Sequence, residues 1–191
     1  MTAGEPRLLA LVCPACGARI EGEPGARLYL CRACPTAVDV AADGAAGYPV
    51  RFAAHAKGAA GRLSWILEAR IAVRCFSATR ETVTPFGPLV PGQTRELNGS
   101  FLVPSDPPLP EAFRRACLRT EAGVELPDEP RQEGTSAPGG SYGRREAERI
   151  ARQVFSSIVA GAPGAVRHLD FDLSVTGASV LFEERASKAG G

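Results

Sequence analysis

The spacing of apolar and polar positions changes period several times along the chain, and each change predicts an element. The longest regular stretch is SWILEARIAVRCF, residues 64–76. Trp65, Leu67, Ala69, Ile71, Val73 and Cys75 share one parity, while Glu68, Arg70, Ala72 and Arg74 hold most of the other. A period of two over this length predicts a half-buried antiparallel strand with Cys75 on its buried side, where an inert thiol is the ordinary expectation. Ahead of it, YPVRFAAHAKGAAGR alternates more weakly at Val50, Phe52 and Ala54 and then turns through a Gly-Ala link. After it, TPFGPLVPGQ reads as a proline-punctuated loop and TRELNGSFLVP as a further strand, so residues 48–104 predict a small β-meander.

The period then switches to that of a helix. PSDPPLP breaks regular structure, and EAFRRACLRTEAG follows with Ala112, Phe113, Ala116 and Cys117 at helical spacing and Gly123 as a stop. Residues 122–141, AGVELPDEPRQEGTSAPGGS, are acidic, rich in Pro and Gly and aperiodic, which predicts a mobile linker or an exposed loop. In SYGRREAERIARQVFSSIVAG, Ala147, Ile150, Ala151, Val154, Phe155, Ile158 and Val159 fall on one helical face, with Ser141 placed to cap the start and Gly161 the end. VRHLDFDLSV and SVLFEER flank TGA as the two arms of a hairpin. Together these predict an α+β fold: a mainly antiparallel sheet built from both halves of the chain, with one or two helices packed on a face.

A different chemistry stands near the start, in CPACGARIEGEPGARLYLCRAC. Cys13 and Cys16 form one Cys-x-x-Cys pair and Cys31 and Cys34 a second. Two intervening residues let each pair turn both sulfurs toward one point, and four thiolates so placed suit a tetrahedral zinc ion. Pro14 presets the first turn and Gly17 can take a positive φ; the second pair has Pro35 at the matching place, which lacks an N–H to bond a sulfur. Between the pairs, Ile20, Leu28 and Leu30 give an apolar face and Pro24-Gly25 a turn, predicting a β-hairpin. Over residues 11–42 the segment resembles the zinc-ribbon superfamily, known from transcription factors, small polymerase subunits and ribosomal proteins. That resemblance implies Cys13, Cys16, Cys31 and Cys34 as ligands; the patterns along the chain then divide it into a zinc ribbon over residues 1–42 and an α+β domain over 48–191 with a Pro/Gly-rich loop or linker at about 122–141. A rubredoxin-like iron site fits less well, since Tyr29 is the only aromatic between the pairs; a thioredoxin-like redox pair needs one Cys-x-x-Cys rather than two. Four protein ligands leave zinc no open position, so the metal is expected to be structural.

Composition changes this picture little. With 191 residues, 45% hydrophobic and 23% charged, the chain is long enough for an ordinary core. Its net charge of +1 nominates neither nucleic acid nor an anionic membrane. The apolar run at residues 8–12 is too short for a signal peptide and no run reaches the roughly 18 residues that span a bilayer, so a cytoplasmic protein with reduced thiols and no membrane span is expected. Residues 48–105 hold seven basic groups (Arg51, Lys57, Arg62, Arg70, Arg74, Arg80, Arg95) against Glu68, Glu81 and Glu96, and any nucleic-acid face would lie there. Outside the four cysteines, His55, His168, Cys75 and Cys117 are the only residues for a Cys/His nucleophile, and Asp170 and Asp172 the only D-x-D pair beside a histidine. Without a phosphate loop, nucleophile elbow or metalloprotease helix, no enzyme is expected. The sequence instead points to a zinc-binding accessory or interaction protein whose partner is another protein; a nucleic-acid-associated factor and a redox component are the alternatives.

Overall fold

A computed structural model describes residues 11–54, 56–107, 110–163 and 166–184. His55 and residues 8–10 of the apolar run lie outside the described residues. Eight strands and two helices follow in the order β1 (Leu28–Leu30), β2 (Thr36–Ala41), β3 (Gly44–Phe52), β4 (Gly61–Ala78), β5 (Thr82–Thr84), β6 (Gly87–Leu89), β7 (Arg95–Pro104), α1 (Pro110–Glu121), α2 (Arg144–Gly161) and β8 (Val166–Glu184). Six strands form one sheet in the order β1-β2-β3-β8-β4-β7, antiparallel throughout except between β3 and β8. The fold is α+β, as the periodicities predict.

The long alternation around Trp65 is the centre of this sheet. Every odd position from Leu63 to Val73 is buried beneath α2, which turns Ala147, Ile150, Ala151, Val154, Phe155, Ile158 and Val159 toward it. Phe155 meets Phe86 and Phe171 with ring centroids 5.5 and 4.7 Å apart. Trp65 is wholly buried, packs edge-on to Tyr48 and donates its indole N–H to the Tyr142 carbonyl at 3.0 Å. Removing one such ring costs about 3–5 kcal/mol. On the opposite face Ile66, Leu102 and Leu181 are buried with Ala53 and Val124 packed against them, while Glu68, Arg70 and Arg74 face solvent. Helix α1 lies along β7, where Thr120 Oγ1 accepts the Leu102 N–H at 3.2 Å, and Gly123 ends it at φ +91°.

Five local readings are corrected. Residues 166–184 form no hairpin around TGA; they are one strand paired with β4 along its whole length. Glu68 pairs with Gly177 and Ala69 with Val175, so Thr176 is the extra residue of a bulge: a glycine inside a strand marked a bulge, and the long partner strand prevailed over the turn signal. A second bulge between Val73 and Cys75 reverses the parity of β4, exposing Cys75 and sending Phe76 inward. TPFGPLV is not a plain loop, because β5 and β6 pair across a turn in which the Thr84 hydroxyl bonds the Gly87 carbonyl at 2.7 Å. Ser141 does not cap α2; its N–H and hydroxyl bond Asp106, Gly143 is the N-cap residue, and Asp39 Oδ2 accepts the Arg144 N–H at 2.9 Å. At the other end the cap residue is Ala162, whose N–H bonds Ile158 and Val159 carbonyls, not Gly161.

Candidate metal centre

Each Cys pair sits in its own turn. In the first, Val12 and Arg19 form a bridge, Cys13 N–H bonds Ala18 O at 2.8 Å, Gly17 N–H bonds Cys13 O at 2.8 Å, and Gly17 takes φ +74°. The second lies in the turn between β1 and β2, where Cys31 N–H bonds Thr36 O at 2.9 Å and the Ala33 N–H points at Cys31 Sγ at 3.4 Å. The partner of β1 is therefore β2, not the stretch around Ile20 that was expected to complete a hairpin between the pairs. Thr36, Val38 and Val40 explain why: their β-branched alternation makes the better strand.

The two turns bring all four sulfurs within 4.8 Å of one another. Cys13 Sγ lies 3.7 Å from Cys34 Sγ, and Cys16 Sγ lies 3.7 Å from Cys31 Sγ. These are not disulfide distances, and all four thiols are free. A tetrahedron with metal–sulfur bonds of about 2.3 Å has edges of about 3.8 Å, so the donor set fits one tetrahedral ion with no ligand missing. Cys13 and Cys31 are buried with Ile20 and Val38, Cys34 is half-buried and Cys16 is exposed. Burial alone would raise the Cys13 thiol, but backbone N–H groups of Ala15 and Cys16 and the thiols of Cys34 and Cys16 stabilise its thiolate and bring it down to about 7. Cys34 is pushed up to about 12 by burial and by the neighbouring sulfurs. Four thiols this close cannot all ionise without a cation among them.

Two supporting residues were not visible as such in the sequence. Arg131 Nη1 donates to Cys31 O at 2.6 Å and Cys34 O at 3.1 Å, bracing the knuckle in which Pro35 has no N–H. Its only signal was to be a lone cation in an acidic, proline-rich stretch. Asp39, 6% exposed, stands between Val38 and Val40 in β2; a carboxylate in an otherwise apolar strand was the available clue. It is joined at the start of α2 by the ion pairs Arg27–Glu146 at 2.8 Å and Arg145–Asp43 at 2.9 Å.

The other candidates are not assembled into a site. His168 and Asp170 are exposed, and Asp172 lies between Arg74 at 2.6 Å and Arg152 at 3.2 Å. The Arg152 hydrogen bond, and then the Arg74 charge, hold its carboxyl below the usual range. Burial, and then the nearby Glu121 charge, push the Cys117 thiol up. Of the seven basic groups in 48–105, five are in ion pairs: Arg51 with Asp128, Lys57 with Glu133, Arg62 with Glu183, Arg70 with Glu96 and Arg74 with Asp172. No helix among the described residues is long and apolar enough to cross a membrane. The fold and the four-cysteine cluster thus define an α+β protein with a candidate tetrahedral metal centre. No protein-family model matches the chain, no curated protein matches its sequence, and no solved structure matches its fold.

Proposed function

We propose that the chain is a zinc-binding accessory protein: the ion held by Cys13, Cys16, Cys31 and Cys34 is structural, and the β-rich body that carries it docks on another protein. The observation that supports this most is the closed donor set, four sulfurs within 4.8 Å of one another. Zinc has no redox chemistry, tolerates a purely tetrahedral thiolate shell and, with four protein ligands, admits neither water nor substrate. The ion's contribution is then to folding, by cross-linking two turns that have little core of their own. A docking role is preferred to nucleic-acid binding because most cations of the 48–105 region already have carboxylate neighbours, which cancels the field a phosphate backbone would need. Affinity purification of the tagged full chain from its own host tests the reading. One stoichiometric protein partner, retained in moderate salt and lost with Cys31→Ser, is expected; a monomer with no partner but measurable affinity for DNA or RNA at low salt would favour the nucleic-acid alternative.

A further inference from the structure

The stretch 131–140 forms neither helix nor strand, yet it fastens to three parts of the molecule. At its start the Arg131 guanidinium bonds Cys31 O and Cys34 O, one carbonyl from each cysteine of the second pair, and through Nη2 it bonds Thr135 O at 3.2 Å. Further on, Ser136 donates its N–H to Ala59 O at 3.1 Å and its carbonyl accepts the Gly61 N–H at 2.9 Å, a bridge to the start of β4. At its end Gly140 exchanges bonds with Leu28, giving its N–H at 2.8 Å and accepting at 2.9 Å, so it covers the outer edge of β1. The segment is a strap rather than a free linker.

The two cysteine carbonyls converge on one guanidinium in the closed knuckle, and an ion shared by Cys31 and Cys34 would hold that closure. A divalent ion held by four thiolates also leaves a net negative charge. Arginine suits the place twice over: its charge is permanent, and its planar fork can meet several acceptors at once. On the reading that the four cysteines hold a metal, we infer that Arg131 is a positioning residue of the metal centre. It braces the second knuckle from about a hundred residues away, and the bound ion in turn holds the strap on β1 and β4. Such coupling is reciprocal: whatever Arg131 adds to metal affinity, the metal adds to the seating of the strap.

Two measurements on the full chain decide this. The first is zinc affinity by competition with a chromophoric chelator; the second is amide hydrogen exchange at Ser136 and Gly140, with and without zinc. In the wild type, stripping zinc should speed exchange at both amides. Arg131→Ala should weaken zinc binding about 10–100-fold and loosen both amides even with zinc bound, and Arg131→Lys, which keeps the charge but not the fork, should fall between. Zinc affinity of Arg131→Ala within about twofold of wild type would overturn the inference, because a strap residue of merely structural importance would loosen the amides alone. Exchange at Ser136 and Gly140 that ignores zinc would overturn it too. If Arg131→Ala does not fold, the same two readouts on Arg131→Lys decide. A wild type that binds no zinc at all would defeat the metal reading itself, a result distinct from either.

Discussion

Cys34 shows most directly what a metal bound by the four cysteines would have to do. Its thiol, pushed up to about 12, keeps its proton at neutral pH, while that of Cys13 is brought down to about 7 and gives up its proton far more readily. A bound ion needs both as thiolates, so uptake must displace protons, and the number displaced must grow with acidity. The sign is fixed by the two directions: above about pH 7 the Cys34 proton is displaced but little comes from Cys13, and below it the Cys13 proton is displaced as well. Zinc added to metal-free protein in weak buffer should therefore acidify the solution at about pH 8, and by more at about pH 6, with affinity falling over the same interval. Binding without proton release would mean that the four thiols are not the ligands. Arg131 belongs to the same scale, since its single guanidinium meets the carbonyls of both cysteines of the second pair.

Between elements, the junction of β2 and α2 is the most specific contact, because Asp39 caps a helix more than a hundred residues further on. Its carboxylate also faces the positive end of the helix dipole. The fit leaves no room at the N-cap residue: a Cβ on Gly143 would stand 2.4 Å from Asp39 Oδ1. Asp39→Ala should cost about 1 kcal/mol as a lost cap. Gly143→Ala should cost about 1–3 kcal/mol through overpacking, but clearly less in the Asp39→Ala background, where the clashing oxygen is gone. Urea unfolding of the four proteins checks this, and strictly additive losses would contradict the account. The same junction shows what a sequence can disclose. Strand β4, helix α2 and the two Cys pairs were legible because each is written in local spacing: period two, period 3.6 and the Cys-x-x-Cys repeat. The bulges that expose Cys75 and straighten TGA were not, because an extra residue is defined only against the partner strand. Nor were the cap by Asp39 and the brace by Arg131, each made between segments about a hundred residues apart.

For the molecule as a whole, the four-cysteine cluster is joined to the sheet through β1 and β2. Leu28, Leu30 and Ala37 belong to the core beneath α2, whereas Tyr29, Val38 and Val40 pack around the cysteines, so the two strands have one face in each cluster. Strand β3 carries the same sheet onward to β8. The cysteines therefore stand at one end of a continuous structure that α2 covers and the 131–140 strap crosses. The central claim is that these four sulfurs hold a single structural zinc ion. Native mass spectrometry of the full chain, expressed in zinc-replete medium and purified without chelator, tests it most directly. The account predicts the mass of the reduced chain plus one zinc ion, with that zinc absent from Cys31→Ser; a wild-type mass matching the metal-free chain, an iron adduct or a chain with disulfides among Cys13, Cys16, Cys31 and Cys34 would contradict it.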